Sequence, residues 1–300
     1  MLNLRSFSKN KLRILRQSIL LFERLGFHVL PVHYYSPIPE VRKLSSSIWK
    51  RTSELVGINM NEDFQLKLLE EFRRLYGREY NSLPLYAHER TKLGYYIYNP
   101  SFGPVDGEIY YCVIRHFKPK RVVEVGAGFS TLLAAEAIEV NRREGYDCEL
   151  IAIDPYPADF LRRIPRLRLV EKPVQELHYS WFNSLRENDI LFIDSTHVVK
   201  IGGDVIYLYL EVLPRLNSGV LVHAHDIFLP LEYPRDWVLE ELRFWSEQYL
   251  LQAFLAFNDQ FEVLWAGSYM NLKHPEKLQE AFRSYKRGET LPGSFWIRRK

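Results

Sequence analysis

From Arg121 to Thr131 the chain reads Arg-Val-Val-Glu-Val-Gly-Ala-Gly-Phe-Ser-Thr, and its apolar periodicity continues through Leu132, Leu133, Ala135 and Ile138. A β-type run therefore breaks into a glycine turn and feeds at once into a helix, the unit from which parallel α/β sheets are built. Gly126 and Gly128 allow a tight turn with positive φ and close approach of the main chain to a ligand, and the following helix aims free N–H groups at it. A nucleotide-like cofactor is the leading reading of this turn. The dinucleotide fingerprint G-x-G-x-x-G is not met, because Thr131 stands where the third small residue belongs and Glu124 precedes the loop, which argues against a nicotinamide. Two glycines by themselves decide nothing, since any parallel α/β domain needs a glycine at the end of its first strand.

The order of elements adds weight. Apolar runs at 121–125, 149–153, 168–170, 189–194 and 219–226 alternate with helical patterns at 130–143, 203–213 and 236–254. Two closing strands follow at 261–266 and 294–297, with a helix at 275–286 between them. Strands alternating with helices imply a doubly wound, mostly parallel sheet of the α/β class. The second run ends in Asp154, where an acid at a strand end accepts two hydrogen bonds from a ribose diol. The helix expected at 236–254 carries Trp237, Phe244, Trp245 and Tyr249 and reads as a buried packing face.

Glu-x-Gly-x-Gly followed by Ile-Asp-Pro resembles the class I, Rossmann-like methyltransferases, and the resemblance covers roughly residues 100–300. It implies a seven-stranded sheet, S-adenosylmethionine as cofactor, and Glu124 with the loop Gly126, Ala127, Gly128, Phe129 and Ser130 under its methionine part. Asp154 would hold the ribose and Gln175 or Glu176 would line the adenine pocket, with Ser195 also against the cofactor.

The strands at 189–194 and 219–226 end in Asp194-Ser195-Thr196-His197 and His223-Ala224-His225-Asp226. Adjacent strands of a doubly wound sheet open their carboxyl ends beside the cofactor crevice, so Asp194, His225 and Asp226 should converge. Two carboxylates and an imidazole without a thiolate form a hard site for a divalent ion such as Mg²⁺. Alternation places His223 and His225 on one side of the strand, so one of them need only be a neighbour. Here the likeness narrows to the metal-dependent O-methyltransferases of catechols and sugars, and it implies His197 as general base. The chain departs from that pattern at His225, which replaces a carboxylate or amide and also suits Fe, Zn or Ni. The chemistry supplies a reason for the set, since a bound ion depresses the pKa of an oxygen acid, from about 15.7 to about 7 for water on Zn²⁺. The plain alternatives are a helix-capping His197 and strand-end carboxylates that only cap backbone.

Residues 1–99 read as a helical cap, with patterns at 11–25 and 61–76, ahead of a catalytic domain at 100–300. Between the helices lies His33-Tyr34-Tyr35-Ser36-Pro37-Ile38-Pro39, where two prolines fix an extended loop. His33, Tyr34 and Tyr35 read either as a turn filling the cap's own core or as a lid facing the substrate. The segment also suits burial against a second copy, so a homo-oligomer is admitted. Three hundred residues, 47% of them apolar, can bury one large core or a core with a cap. A net charge of +3 excludes a nucleic-acid partner as the leading reading. Cys112 and Cys148 make neither a disulfide framework nor a metal site. Lys9, Lys11 and Arg13 before Ile19-Leu20-Leu21-Phe22 imitate a leader until Glu23 and Arg24 interrupt it, so no membrane span and a cytoplasmic location are expected. The expectation is a soluble O-methyltransferase, assisted by a divalent metal, acting on a small-molecule or glycan hydroxyl. The rivals are a nicotinamide-dependent oxidoreductase and a non-catalytic cofactor-binding partner protein.

Overall fold

The structure is a computed structural model that describes residues 9–300, with side chains from residue 16 onward. The basic side chains of Lys9, Lys11 and Arg13 lie outside the described residues. Helices α1 (Lys9–Arg24) and α2 (Glu62–Tyr80) precede α3 (Asp106–Phe117), after which strands and helices alternate. The order is β1 (Arg121–Val125), α4 (Phe129–Arg143), β2 (Glu149–Ile153), β3 (Leu167–Val170), β4 (Ile190–Ile193), α5 (Asp204–Tyr207) and β5 (Leu221–Ala224). The chain closes with α6 (Arg235–Leu239), α7 (Glu247–Leu255), β6 (Phe261–Ala266), α8 (Gly267–Lys273), α9 (Pro275–Ala281) and β7 (Phe295–Arg299).

The strands form one seven-stranded sheet in the order β3-β2-β1-β4-β5-β7-β6, with β7 antiparallel to both neighbours. This is the doubly wound sheet that the alternation of elements implies, with the seven strands that the resemblance to the Rossmann-like methyltransferases implies. The strands are short and apolar because both faces are covered. Along β1, Val122 packs into the layer of α3 and α4, while Val123 and Val125 enter the opposite layer beneath α5 and α7. Helix α2 lies against α3, with Phe72 and Tyr80 fully buried. Arg115 of α3 is clamped by Glu79 at 2.8 Å and Glu144 at 2.5 Å.

Two expectations need correction. The single helix expected at 236–254 is broken into α6 and α7, because the N–H groups of Ser246 and Glu247 bond the carbonyl of His197 instead of continuing a helix. The helix expected at 275–286 stops at Ala281, and α8 ahead of it was not anticipated. Among the described residues no helix is long and apolar enough to cross a membrane.

Candidate active site at the carboxyl ends of β1, β2, β4 and β5

Parallel register carries four site residues into one row. Val125 pairs with Ile153 and with Ile193, and Ile193 pairs with Ala224. The next residue on each strand is Gly126, Asp154, Asp194 and His225, so all four stand one step beyond the sheet at the same edge. The row is tied by backbone bonds of 2.9 Å from Gly126 to Ile153, Asp194 to Val125 and His225 to Ile193.

The turn after β1 is built for close approach. Gly126 has φ +84°, and a Cβ there would collide with the carbonyl of Asp194. The Asp154 carboxylate accepts from Ala127 N at 3.1 Å and Tyr156 N at 2.7 Å, binding the two turns together. Thr131, which breaks the dinucleotide fingerprint, accepts from Gly128 N at 3.0 Å and so stiffens the loop. Below it, Glu124 is fully buried and accepts from Tyr110 at 2.9 Å. Burial pushes the Glu124 carboxyl up to about 7, against hydrogen bonds from Thr131 and Tyr110 that favour its charged form.

A cavity of about 390 Å³ opens beside this turn, lined by Gly126, Asp154, Gln175, Asp194 and Ser195 among others. Buried Ser195 Oγ has no hydrogen-bond partner among the described residues, which fits a polar ligand there. Glu124, Ala127, Gly128, Phe129 and Ser130 form the turn and the structure beneath it, outside that lining. Lys200 and Asp204 also line the cavity, and sequence reading missed both. Asp204 accepts from Thr196 N and Oγ1 at 3.0 and 2.6 Å, fixing the segment that leads to His197.

On the other side of Asp194 lies a cleft of about 550 Å³, bordered by Asp106, Asp194, His225 and Asp226, with Tyr98, Trp237 and Arg243 on its walls. Asp194 lines both spaces and is the point where they meet. His197 Nε2 lies 3.3 Å from Asp194 Oδ1 and 3.4 Å from Asp226 Oδ2. His225 Nδ1 lies 3.8 Å from Asp194 Oδ1 and 3.5 Å from Asp226 Oδ1, while its Nε2 faces Asp106 at 3.5 Å. The four residues therefore converge. One donor atom each of Asp194, His197 and Asp226 lies within 4.8 Å of the others, a spacing suited to holding a cation.

His197 does not border the cleft. It sits behind the two carboxylates, and Glu247 Oε2 holds its Nδ1 at 2.9 Å. Glu247 is itself buried and takes a second bond of 2.9 Å from Tyr209. Burial opposes a charge on His197, but the bonds to Asp194 and Glu247 outweigh it and raise its pKa to about 10. His225 is likewise raised, since burial is outweighed by the charges of Asp226 and Asp194. For Asp194 burial is outweighed by the cationic imidazoles of His225 and His197, which hold it below the usual carboxylate range. His197 and Asp226 adopt left-handed backbone, at φ +59° and +55°. Such conformations in non-glycine residues cluster at functional sites.

The second histidine of β5 is a neighbour. His223 stacks on Phe192 at 3.9 Å and meets Ser294 Oγ at 2.9 Å, and burial keeps it neutral. Of the residues just ahead of α3, Tyr98 and Asn99 border the cleft, whereas Tyr95 is fully buried and Phe102 packs on His225 at 5.1 Å. His33, Tyr34 and Tyr35 are not brought to the site. They form an exposed turn in which His33 Nδ1 accepts from Tyr35 N at 2.9 Å, and the two tyrosines are 87% and 73% exposed. Trp237 and Trp245 do pack, on one another at 5.3 Å and on buried Phe228 and His197 at 5.3 and 4.3 Å, and the same two rings flank the Arg243 guanidinium at 4.6 and 5.0 Å beside the cleft. Sequence reading also missed Asp106 and Glu247. The only signals were an acid at a helix start and an acid inside an aromatic stretch.

A methyltransferase domain family model matches residues 123–227, the span from within β1 to just past Asp226. An uncharacterized protein of Archaeoglobus fulgidus is 38% identical over 173 residues, which cover 53% of this chain and 75% of the other. Residues 123–227 are thereby marked as a methyltransferase domain, and the oxidoreductase reading is set aside. Among solved structures, an SAH-bound methyltransferase of Podospora anserina is 16% identical, covering 91% of this chain and 99% of its own, with a TM-score of 0.41. An O-methyltransferase of Bacillus cereus in complex with SAH is 13% identical, covering 78% and 91%, with a TM-score of 0.37.

Proposed function

We propose that this methyltransferase acts on oxygen, transferring the methyl group to a hydroxyl of a sugar, a glycan or another polar metabolite, with a divalent ion at the carboxylate pair. The observation that carries the reading is the double position of Asp194, which borders both the cavity beside the glycine turn and the cleft that contains His225 and Asp226. Oxygen and imidazole donors without sulfur fit Mg²⁺, Mn²⁺ or another first-row ion. When bound, the ion would act as a Lewis acid that makes a hydroxyl more acidic.

The rest falls to the chain's own residues. Asp194, His197 and Asp226 would be the ion's ligands, and Glu247 behind His197 Nδ1 gives that ring the carboxylate support common to metal-bound histidines. This exchanges the roles expected of the two histidines. A general base must reach the acceptor, and of the two imidazoles it is His225 that borders the cleft; it would be free to serve once a bound cation offsets the charges of Asp194 and Asp226 that hold its proton. Asp106 faces His225 Nε2 at 3.5 Å, so Nδ1, on the side of the two carboxylates, is the atom that would take the hydroxyl proton. The turn at Gly126, with Asp154 and Ser195, would fix the donor so that its methyl group faces Asp194, since alignment is the main demand of a transfer from an activated donor. Tyr98, Asn99, Trp237 and Arg243 offer a mixed polar and aromatic wall of the kind that orients a small polar acceptor.

The test is calorimetric titration of S-adenosylhomocysteine with and without Mg²⁺ or Mn²⁺, followed by mass spectrometry of a cell extract incubated with enzyme and labelled methyl donor. Labelled oxygen ethers formed only with the ion are expected. Turnover indifferent to chelation would remove the ion from the mechanism, and a methylated nitrogen or carbon would overturn the acceptor class.

A further inference from the structure

The arginines around β3 are paired with acids: Arg162 with Glu171, Arg166 with Asp147 and Arg168 with Glu149. Arg163 is different. Neither it, nor Arg90 and Lys92 on the loop ahead of α3, has an acidic partner among the described residues, and all three border one cavity of about 540 Å³. No acid lines this hollow. Of the nearby acids, Glu136 accepts from Leu93 N at 3.0 Å and Glu89 lies 3.6 Å from His88, while Asp159, ahead of Phe160, lies outside the lining and makes no ion pair with Arg163 among the described residues. Cations gathered on one concavity without counter-charge raise the local concentration of anions.

The cavity also has aromatic walls. Tyr96 stands edge-on to Phe129 with ring centres 5.6 Å apart, and Phe160 lies 6.2 Å beyond Phe129. Half-buried rings with a few convergent charges are the usual lining of a small-molecule site. Arginines match phosphate geometry, and flat bases stack on such rings. The cavity is distinct from the space beside the glycine turn, with which it shares no lining residue, although Phe129 follows Gly128 of that turn directly.

We propose that this cavity binds a small anionic ligand carrying an aromatic ring, of the nucleotide class, with its phosphates on Arg90, Lys92 and Arg163 and its base against Phe129 and Phe160. It is a second site, separate from the methyl donor's, and stands whatever the acceptor proves to be. The test is calorimetric titration of ADP and of inorganic pyrophosphate into the full chain saturated with S-adenosylhomocysteine, at low and at physiological salt. ADP should bind about tenfold tighter than pyrophosphate, and both should weaken with salt. An Arg90→Glu/Arg163→Glu protein should lose about tenfold in ADP affinity while keeping its melting temperature and its affinity for S-adenosylhomocysteine. Lys92→Glu, on an exposed loop, gives an independent reading in the same direction. Absence of ADP binding, wild-type ADP affinity in these variants, or pyrophosphate binding as tightly as ADP would overturn the proposal. Failure of the donor reading would show separately, in the titration of S-adenosylhomocysteine itself.

Discussion

Gly126→Ala should damage both the fold and donor binding, and the structure sets the size of the effect. Gly126 sits at φ +84°, and its missing Cβ would meet the Asp194 carbonyl, which is main chain and cannot swing aside. Holding a non-glycine residue in that conformation costs about 1–3 kcal/mol. Forcing a methyl group against fixed backbone adds about 1–3 kcal/mol. The sum of about 2–6 kcal/mol corresponds to a fall in melting temperature on the order of 3–10 °C for a chain of this size. Relief of the clash must push Asp194 outward, so affinity for S-adenosylhomocysteine should fall by at least about tenfold, or 1.4 kcal/mol. Gly128→Ala is the internal control: a Cβ there meets nothing within 4 Å and its φ of −172° is extended backbone. That variant should stay within about 0.5 kcal/mol of wild-type stability. Thermal melts and calorimetry on the two proteins make the comparison. Equal melting temperatures for the two variants would refute the claim that the turn and the end of β4 are in forced contact.

Other perturbations probe different links. Glu247→Gln should weaken Mn²⁺ binding by roughly 10–100-fold in a calorimetric titration while the protein still binds S-adenosylhomocysteine, because His197 loses its anionic support; unchanged Mn²⁺ affinity would remove His197 from the ligand set. Burial raises the Glu108 carboxyl from 4.5 to about 7, against bonds from Ser284 and Val105 N, so its contribution is intact below pH 4.5 and is lost as pH rises to about 7. The loss is worth about 3 kcal/mol, and Glu108→Gln, which cannot ionise, should gain that much on wild type across the same interval in chemical denaturation; a constant difference between the two proteins would contradict it. Arg115→Met should cost about 3 kcal/mol by stranding Asn141 and Glu79 at the α2–α3–α4 junction, read as a lower denaturation midpoint.

Much of the fold was legible because its signals are local. The run at 121–125, the glycine turn and the helix behind it are contiguous, and in a parallel sheet the order of strands fixes which ends become neighbours. That is why Asp154, Asp194, His225 and Asp226 could be placed at one edge before any coordinates. The shells behind them were not legible. Glu247 reaches His197 across fifty positions of sequence, and it does so through a helix break created by the carbonyl of His197 itself, which no periodicity reveals. The aromatic density at 236–254 signals a packing face, and Trp237 and Trp245 do pack on Phe228 and His197, but nothing in the sequence shows that the same two rings also flank an arginine at the cleft. Asp106 looks like an ordinary acid at a helix start. Only tertiary packing sets it against His225 and beneath the amides of Gly293 and Ser294 at 2.9 and 3.0 Å. Which of the two histidines borders the cleft turns on depth, which strand alternation cannot supply for His197, because that residue lies beyond the end of β4 with left-handed backbone.

The most direct test of the central claim is a Mn²⁺ titration of the protein saturated with S-adenosylhomocysteine, comparing wild type with Asp194→Asn/Asp226→Asn. One ion per chain in the wild type, at least about a hundredfold weaker in the variant at equal S-adenosylhomocysteine occupancy, is the expected result. Equal Mn²⁺ binding by both proteins, or none by either, would contradict the assignment of the β4 and β5 carboxylates as the ion-holding pair beside the methyl donor.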